Sequence, residues 1–426
     1  MDQDRRTAYE ALLRICGDGA YSNIELNRQI TGRKPENPAF VRELTYGVLK
    51  TARSLDYYLA QLIQRNFSRL KLPVLTILRM GLYQFLYMDA VPDYAAVNEQ
   101  VRLARAFCRG QAGFVNGVLR NFLRTKDALR APGSTGSPAE RLADRYSFDP
   151  WISQLWLDMF GEEEAASLME ASNRSPELCV RVNELKTSRE ELASALTERG
   201  FLCEASAVSP HVLKVRGSRL LEQDLFRTGA FMVQDEASAA AVDALDVQPG
   251  DRVLDVCAAP GGKSLAAAIL AGDRCLVSAF DIHPHKLPLI EREAARPGVT
   301  SLRTGVRDAS APGSAPGELQ DRIICDVPCS GLGVVRRKPE IKYKKIPDQG
   351  EALAELQYTI LRETQAFLKP GGRLLYSTCT INSAENQDLV RRFLSESPAF
   401  RAVSERQFLP DRDGTDGFYY CILEKH

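Results

Sequence analysis

The sequence predicts several domains in one chain: an all-α domain at the amino end, a small α+β module, and an α/β domain at the carboxyl end. Three observations support this. The 426 residues exceed what one hydrophobic core usually holds. Apolar residues recur at helical spacing through residues 1–128, whereas strands and helices alternate from Thr228 onwards. A stretch rich in Pro, Gly and Ser, residues 131–138, separates the helical part from the rest.

The first 128 residues are predicted to be helical throughout, and they carry an excess of positive charge. Apolar side chains recur at helical spacing in four sets, Ala8-Leu12-Ile15, Phe40-Leu44-Val48, Leu55-Leu59-Leu62-Ile63 and Phe114-Val118-Phe122. Lys and Arg outnumber Asp and Glu by 19 to 12 here (+7), whereas residues 129–228 carry −4 and residues 229–426 carry −3. Such an excess suits an appendage that binds RNA phosphates, although a bare helical scaffold is the alternative.

Residues 139–228 predict a small α+β module. An acidic and aromatic helical stretch, 151–171, precedes two strand-like runs, 178–182 and 212–215, and a capped amphipathic helix, 188–199, lies between the two runs. The residues alone do not indicate what this module does.

The α/β domain follows. Helices are predicted for Gln234–Leu245 and Glu351–Leu368, strands are predicted to end at Cys257, Asp281, Val306, Val327 and Thr378, and a last strand-like run covers 418–423. This alternation favours a mostly parallel sheet with helices on both faces. Ligands of such sheets bind beyond the carboxyl ends of the strands, so residues at strand ends are the first candidates for a site.

Two cysteines occupy such positions. Cys329 lies in Asp-Val-Pro-Cys-Ser-Gly (326–331) and Cys379 in Tyr-Ser-Thr-Cys-Thr (376–380), each just after an apolar, strand-forming run. We expect both sulfurs and the Asp326 carboxylate to share one crevice. A thiolate is a strong nucleophile, so these residues indicate covalent chemistry. The alternatives are two small core residues and a redox pair, and a redox pair would need no glycine-rich loop.

A glycine-rich loop lies upstream, in Arg-Val-Leu-Asp-Val-Cys-Ala-Ala-Pro-Gly-Gly-Lys-Ser-Leu (252–265). It departs from a phosphate-binding P-loop, because Cys257 stands where glycine is needed and Pro260 has no N–H to donate. The dinucleotide pattern G-x-G-x-x-G is also missing there, so a less highly charged, adenosine-containing cofactor is predicted. The candidate cofactor contacts are Cys257, Ala258, Ala259, Pro260, Gly261, Gly262 and Lys263 in the loop, and Asp281, Asp308 and Asp326 at strand ends.

Residues 229–426 resemble the RNA cytosine-5 methyltransferases, which use S-adenosylmethionine. The resemblance is carried by VQDEAS (233–238), LDVCAAPGGKS (254–264), DVPCSGLGVVRRKPEIK (326–342), YSTCTINSAEN (376–386) and DGFYY (416–420), in the family's order. Two positions depart from the family pattern: Thr380, where serine is common, and the segment around Asp308. The family implies a Rossmann-like catalytic domain with an antiparallel last strand, and S-adenosylhomocysteine as the spent cofactor.

The rest of the chain resembles domains that accompany such enzymes. Residues 1–130 are similar to the helical RNA-binding fold of the antitermination factor NusB, through NPAFVRELTYGVLK (37–50) and GFVNGVLRNFLR (113–124). For residues 139–228 the resemblance implies a ferredoxin-like module that guides RNA, and for residues 229–426 the catalytic domain. The whole chain resembles bacterial enzymes that methylate 16S ribosomal RNA, which implies an unpaired cytosine, cytosine 967, as the target.

The resemblance also implies roles for the cysteines. Cytosine C5 is a weak nucleophile until a thiolate adds to C6, and this addition needs hydrogen bonding at N3, for which Asp326 is the candidate if its environment raises its pKa. A base must then take the C5 proton so that the thiolate can leave. The residues alone leave open which sulfur attacks, and DNA methyltransferases use the cysteine of their Pro-Cys motif. The RNA family uses the Thr-Cys cysteine, which implies attack by Cys379 and product release by Cys329.

A basic cluster directly follows the Cys329 motif. Its members are Arg336, Arg337, Lys338, Lys342, Lys344 and Lys345. A solvated charged loop and a loop that contacts RNA phosphates are both compatible with this pattern.

The composition argues against a membrane protein and a metalloprotein. The charged opening residues predict no signal peptide, and the most apolar stretch, 72–91, contains Arg79 and Asp89 and is expected to be a buried helix. The ten cysteines have no C-x-x-C spacing and there are only four histidines, so we expect no metal and a reduced, cytoplasmic protein. We also expect a monomer. The competing functions are methylation of transfer RNA and a non-catalytic, NusB-like RNA-binding factor.

Overall fold

The structure, a computed structural model, describes residues 1–312, 318–343 and 347–426, with the backbone alone for residues 65, 66 and 347–349. The chain forms two compact units. The first contains residues 1–174 and a short later segment that begins at Val335. The second contains the remaining residues from Ser175 onwards.

The first unit is helical, as predicted for residues 1–128. Its helices are α1 (Gln3–Asp18), α2 (Ser22–Arg33), α3 (Pro38–Ile63), α4 (Leu72–Tyr87), α5 (Asp93–Phe107), α6 (Ala112–Thr125), α7 (Pro138–Tyr146), α8 (Pro150–Phe160) and α9 (Glu162–Asn173), with short 3-10 helices at Gln64–Arg69, Lys126–Ala128 and Pro339–Tyr343. Asn37 caps α3 by accepting a hydrogen bond from the N–H of Phe40 at 3.0 Å. The stripe that includes Leu44, Val48 and Leu55 is buried in the core of this unit.

Most of the apolar stretch 72–91 forms α4, which ends at Tyr87, and its buried face confirms the expected core helix. Arg79 of α4 donates to Asp56 of α3 through Nε and Nη2, at 2.8 and 2.5 Å. Among the residues that the structure describes, no helix combines the length and the apolar character needed to cross a membrane.

Helices α7–α9 belong to the first unit, although the sequence assigned residues from 139 onwards to the α+β module. They are held by polar contacts with α3 as well as by packing. Arg53 Nε donates to Asp144 Oδ1 at 2.7 Å, and Ser54 Oγ donates to the backbone carbonyl of Asp144 at 2.6 Å. The boundary between the compact units therefore follows α9. Helical periodicity predicts that a segment is a helix but not which neighbours bury it.

One member of the basic cluster, Lys342, is placed where it cannot contact RNA phosphates. Its side chain is completely buried in the first unit. Its ammonium donates to the backbone carbonyls of Lys50 (2.6 Å) and Tyr146 (3.1 Å) and to Asn173 Oδ1 (2.8 Å). Burial lowers the pKa of Lys342 well below its ordinary value. The phosphate interpretation is therefore wrong for this residue, because the ammonium is enclosed and already hydrogen-bonded.

The other members of the cluster differ in burial. Arg336 is buried, and Arg337 and Lys338 are partly buried. Lys344 and Lys345 lie outside the described residues. Charge density along the sequence therefore does not predict how much of this segment faces solvent.

The second unit contains two sheets and the helices that cover them. Its elements are β1 (Leu178–Val182), α10 (Arg189–Thr197), β2 (Leu202–Ala205), β3 (Val212–Arg216), α11 (Asp224–Arg227), β4 (Phe231–Val233), α12 (Glu236–Leu245), β5 (Arg252–Asp255), α13 (Gly262–Leu270), β6 (Leu276–Asp281), α14 (Leu287–Ala295), β7 (Leu302–Val306), β8 (Gln320–Asp326), α15 (Pro347–Thr364), β9 (Leu368–Thr378), α16 (Gln387–Glu396), β10 (Phe400–Phe408) and β11 (Phe418–Lys425). Short 3-10 helices lie at Leu220–Glu222, Pro284–Lys286, Gln365–Phe367 and Ser383–Glu385.

The smaller sheet has the order β2-β3-β1-β4 and is antiparallel throughout. The predicted strands and helix of the α+β module are β1, β3 and α10, and Ser188 and Glu191 close α10 with a capping box. The sequence missed β2 and β4, which have only four and three residues. Strands this short carry too few residues for a period of two to be recognised.

The larger sheet has the order β10-β11-β9-β8-β5-β6-β7. Strands β9, β8, β5, β6 and β7 are parallel, and β11 and β10 are antiparallel, which confirms the predicted parallel sheet and antiparallel last strand. The sheet is covered on both faces: Val253 of β5 packs into a core that includes α12 and α13, and Leu254 packs into the opposite core with α15 and α16. The edge strand β10 was not predicted, because most of its side chains are exposed.

The sheet order reverses at β5. The chain runs from β5 to β6 and β7 on one side, and then crosses to β8 and β9 on the other. The carboxyl ends of β5 and β8 therefore lie at a topological switch point, where open α/β sheets bind their ligands. The glycine-rich loop follows β5, and the Cys329 motif follows β8.

Candidate active site

The two cysteines of the sequence motifs meet beyond the ends of adjacent strands. Strands β8 and β9 pair in parallel with Asp326 opposite Ser377, so the loops that follow them start side by side. The distance between Cys329 Sγ and Cys379 Sγ is 3.2 Å. Both sulfurs border one cavity, as expected from their places in the sequence.

The pKa of Cys329 is raised well above its ordinary value. The first cause is its hydrogen bond with Cys379, and the others are burial and the nearby charges of Cys379 and Glu385. Either sulfur can donate in this contact, and the nearby charge of Glu385 adds to the resistance of Cys329 to ionisation. Ionisation of Cys329 is therefore disfavoured at this place beyond the strand.

Asp326 joins the cysteine loops to the glycine-rich loop. Its Oδ2 accepts from Lys263 Nζ at 2.7 Å, and its Oδ1 accepts from Ser377 Oγ at 2.8 Å. The side chains of Lys263 and Asp326 are 12% and 32% exposed. Lys263 Nζ also lies 5.0 Å from the centre of the Phe418 ring, in the DGFYY segment. Four of the sequence motifs thus meet at one place.

The glycine-rich loop turns sharply before α13. Gly261 has a φ of 107°, in the region that favours glycine, and a Cβ there would lie 3.1 Å from Ile290. Helix α13 begins at Gly262, so the loop ends at a helix amino terminus with its unpaired N–H groups. The N–H of Ala259 donates to Asp281 Oδ2 at 3.3 Å. The loop and the end of β6 are therefore held together by a hydrogen bond.

The two acidic candidates on this side differ in burial. Asp281, the last residue of β6, is 5% exposed, and its Oδ1 accepts from the N–H of His283 at 2.9 Å. Asp308, two residues beyond β7, is exposed, and its Oδ1 accepts from the N–H (2.9 Å) and hydroxyl (2.6 Å) of Ser310. These bonds lower the pKa of Asp308. Asp281 is the better placed of the two for a directional contact with a bound molecule.

A cavity of about 500 Å³ connects these groups. It is bordered by Cys257 and Ala259 of the loop, by Asp281, Asp308 and Asp326, by both cysteines, and by the apolar side chains of Ile282, Leu356 and Ile360. Its size lies in the range of sites for small molecules and cofactors, roughly 300–1,000 Å³. This combination fits a nucleoside. The sugar of a nucleoside carries hydroxyl donors for the buried carboxylate, and its base is flat and largely apolar, like the walls of the cavity.

A further acid near the site, Asp255, was not among the residues predicted from the sequence. Asp255, the last residue of β5, is fully buried, and burial raises its pKa from 3.8 to about 7. Its carboxylate accepts from Ser264 Oγ at 2.6 Å. Asp255 lies inside the quoted motif LDVCAAPGGKS, but the motif does not tell which of its members is buried.

Of the ten cofactor candidates, Cys257, Ala259, Asp281, Asp308 and Asp326 border the cavity. The other five, which are not among its lining residues, are Ala258, Pro260, Gly261, Gly262 and Lys263. Over residues 1–312, 318–343 and 347–426, no group of three or more His, Cys, Asp or Glu side chains is arranged to hold a metal ion.

Comparison with known proteins agrees with this geometry. Residues 242–424 match the family described as 16S rRNA methyltransferase RsmB/F, residues 2–124 match the NusB family, and residues 148–220 match the RsmF/B-like ferredoxin-like domain. The chain is similar to the probable ribosomal RNA small subunit methyltransferase B of Bacillus subtilis, with 36% identity over 99% of this chain and 98% of that protein. It is 33% identical to ribosomal RNA small subunit methyltransferase B of Vibrio cholerae, over 99% and 97% of the two chains.

Solved structures show the same fold. The crystal structure of PH0851 superposes with a TM-score of 0.85, at 26% identity, over 99% of this chain and 98% of that one. A methyltransferase homolog from Pyrococcus horikoshii covers 68% of this chain with a TM-score of 0.62, at 24% identity.

The fold, the cavity at the switch point and the matched family models define a methyltransferase with an amino-terminal NusB domain and a ferredoxin-like middle domain. The chain belongs to the 16S rRNA methyltransferase RsmB/F family. The resemblance stated from the five sequence segments is thereby confirmed.

Proposed function

We propose that this enzyme transfers a methyl group from S-adenosylmethionine to C5 of a cytosine in 16S ribosomal RNA, through a covalent bond between a cysteine and C6. The observation that carries the proposal is the pair of thiols, 3.2 Å apart, at the edge of the cofactor cavity. The names of the relatives support the small-subunit ribosomal RNA as substrate. The resemblance noted from the sequence nominates cytosine 967, in an unpaired loop where C6 can be reached.

In this proposal Cys379 attacks and Cys329 releases the product. The pKa of Cys329 is raised, first by its hydrogen bond with Cys379, so in this proposal Cys329 keeps its proton and Cys379 is the sulfur that attacks. Once Cys379 is bonded to C6 it carries no charge and is a poor acceptor, so the main cause of the raised pKa of Cys329 is removed. Cys329 can then give its proton to solvent water and, as a thiolate, take the proton on C5. The electron pair of that C5–H bond re-forms the C5–C6 double bond, and Cys379 leaves C6 as a thiolate.

Asp326 and Lys263 supply the hydrogen bond that the attack needs at N3. Addition of a thiolate to C6 places negative charge on the ring, and a donor at N3 stabilises it. The Lys263 ammonium donates a hydrogen bond to Asp326 Oδ2 at 2.7 Å. In this proposal the Lys263 ammonium holds the Asp326 carboxyl group at the site, and a proton carried by that carboxyl group is donated to N3.

The cofactor is proposed to lie in the cavity between the glycine-rich loop and the cysteines. S-adenosylmethionine supplies a methyl group on a positively charged sulfur, which needs no metal for transfer. The Asp281 carboxylate would accept the ribose hydroxyls, Asp308 would contact the cofactor at the cavity edge, and loop residues 257–263 would bind the methionine end through backbone N–H groups at the start of α13. We assign RNA binding to residues 1–130, RNA guiding to residues 139–228 and catalysis to residues 229–426.

Two single substitutions test the chemistry. Cys379→Ala removes the attacking sulfur, so this variant should neither methylate RNA nor form a covalent complex. Cys329→Ala leaves attack and methyl transfer possible but stalls release, so it should accumulate a denaturant-resistant protein–RNA complex that requires S-adenosylmethionine. Gel electrophoresis of purified variants with 16S ribosomal RNA gives the readout. If neither variant traps RNA, the covalent route is wrong; if only Cys379→Ala traps RNA, the two roles are reversed.

The substrate is tested separately. Bisulfite sequencing of ribosomal and transfer RNA from a strain that lacks this gene, with and without the restored gene, locates each cytosine whose methylation depends on it. Loss of one modified cytosine in 16S ribosomal RNA is the expected result. Loss confined to transfer RNA would favour the transfer-RNA alternative, and no change in either RNA would revive the non-catalytic one.

A further inference from the structure

A buried carboxylate, Glu385, lies against the Cys329 loop. Glu385 ends the 3-10 helix Ser383–Glu385 and is 1% exposed. Its Oε2 accepts from the N–H of Ser330 at 2.9 Å and from Gln357 Nε2 at 2.9 Å, and its Oε1 accepts from Ser330 Oγ at 2.5 Å. Gln357 Nε2 also donates to the carbonyl of Pro328 at 2.9 Å. The residues directly before and after Cys329 are therefore both tied, one directly and one through Gln357, to this carboxylate.

The same carboxylate is tied to the Cys379 loop. Glu385 Oε1 accepts from Asn382 Nδ2 at 3.1 Å, and the backbone carbonyl of Glu385 accepts from Tyr376 OH at 2.7 Å. Thr380, the residue after Cys379, places its Oγ1 2.7 Å from Ser330 Oγ. The two cysteine loops thus share one hydrogen-bonded network, and its centre is Glu385.

Burial of the Glu385 carboxylate costs free energy, because the charge loses its hydration. A charged group removed from water is destabilising unless hydrogen bonds replace its hydration. The four donors to the Glu385 carboxylate, from Ser330, Gln357 and Asn382, are neutral groups. An apolar side chain there would leave these donors without their acceptor, so the carboxylate joins the two cysteine loops and does not merely fill space.

We propose that Glu385 is a positioning residue that holds Cys329 against Cys379 and so decides which of the two thiols attacks. The negative charge of Glu385 is one cause of the raised pKa of Cys329, after the hydrogen bond with Cys379, burial and the charge of Cys379. Removal of the Glu385 charge, or displacement of Ser330, would leave Cys329 freer to ionise. The assignment rests on the proposed roles of the two cysteines, but its test does not require RNA.

The test measures the relative reactivity of the two thiols in the full-length protein. Alkylation by iodoacetamide follows the thiolate fraction, so its rate at each cysteine, read by peptide mass spectrometry between pH 6 and 9, reports which sulfur ionises first. In the unmodified protein Cys379 should be alkylated faster than Cys329. Glu385→Gln keeps the shape, removes the charge and turns one acceptor into a donor, so the preference for Cys379 should fall roughly tenfold to a hundredfold.

A matched control is available three residues further on. Asp388 is exposed and pairs with Arg391 at 3.0 Å, so Asp388→Asn removes a carboxylate from the surface of α16 without touching the network. It should leave the alkylation preference unchanged. In methylation assays Glu385→Gln should lower kcat and leave the KM for S-adenosylmethionine unchanged, because the cofactor cavity is bordered by other residues.

The outcomes separate the two proposals. An alkylation preference in Glu385→Gln within about twofold of the unmodified protein overturns the role of Glu385, because the carboxylate then has only a structural effect. If Glu385→Gln does not fold, Ser330→Ala serves instead, because it removes the hydroxyl contacts with Glu385 and Thr380 and keeps the N–H. If Glu385→Gln changes the alkylation preference but Cys329→Ala traps no RNA, the role of Glu385 is supported and the proposed covalent chemistry is overturned. If Cys329→Ala traps RNA but Glu385→Gln leaves the preference unchanged, the chemistry is supported and the role of Glu385 is overturned.

Discussion

The buried carboxylate at the end of β6 offers the sharpest test of the cofactor site. Asp281 is 5% exposed, borders the cavity, and accepts from the N–H groups of Ala259 and His283. Asp281→Ala removes both proposed bonds to the ribose hydroxyls and the bond from Ala259 that holds the loop. Hydrogen bonds to a charged group contribute about 1.5–3 kcal/mol, so the Kd for S-adenosylmethionine should rise roughly tenfold to a hundredfold.

Isothermal titration calorimetry of the purified variants measures this directly. Asp308→Ala should have a smaller effect, since Asp308 is exposed and solvent weakens its contacts. Asp388→Ala is the control that should bind the cofactor normally. An unchanged Kd for Asp281→Ala would remove this residue from the site, and tight binding of a nucleoside triphosphate would restore the P-loop interpretation of residues 257–263.

Three further predictions concern RNA binding and stability. Deletion of residues 1–130 should weaken binding to ribosomal RNA and flatten its dependence on salt, measured by filter binding, because phosphate contacts release counterions; an unchanged salt slope would leave this domain a scaffold. Because the folded pKa of Asp255 is about 7 and the ordinary value is 3.8, its contribution to stability is present at low pH and is lost as pH rises towards 7. Asp255→Asn should therefore remove a fall of up to about 1.4 kcal/mol per pH unit in the free energy of unfolding between pH 5 and 7, and parallel curves for both proteins would refute this. Lys342→Met should cost about 1–3 kcal/mol in urea denaturation, because three buried acceptors lose their donor; Lys71→Met, at an exposed position, is the control.

The elements of the α/β domain could be predicted from the sequence because its central strands are strongly apolar and regularly spaced. Strand ends at Asp281, Val306 and Thr378 were predicted to the residue, and those at Cys257 and Val327 lie within two residues of the observed ends of β5 and β8. The position of a site beyond those ends followed from the general rule for such sheets. The edge strand β10 was not predicted, because most of its side chains are exposed. The strands β2 and β4 were not predicted, because they are too short for a periodic pattern.

The burial of individual charges could not be predicted. Lys342 belongs to a run of basic residues that is as compatible with solvent as with RNA, and its burial depends on acceptors at Lys50, Tyr146 and Asn173, far away in the sequence. Asp255 and Glu385 are similar cases, because each lies in a sequence motif that does not indicate a role for it. A local sequence reveals that a charge exists, but only the folded chain determines whether partners enclose it.

The proposed roles of the two cysteines also could not be predicted from local sequence. Cys329 and Cys379 follow adjacent parallel strands, so strand position alone gives no reason for one to attack and the other to release. The difference arises from groups distant in sequence: Glu385 lies 55 residues beyond Ser330, and Gln357 lies 28 residues before Glu385. Because this network contacts the residues on both sides of Cys329, it can hold that sulfur as the proton-bearing partner. If the network is what separates the roles, substitution within it should change the choice of nucleophile while both sulfurs remain in place.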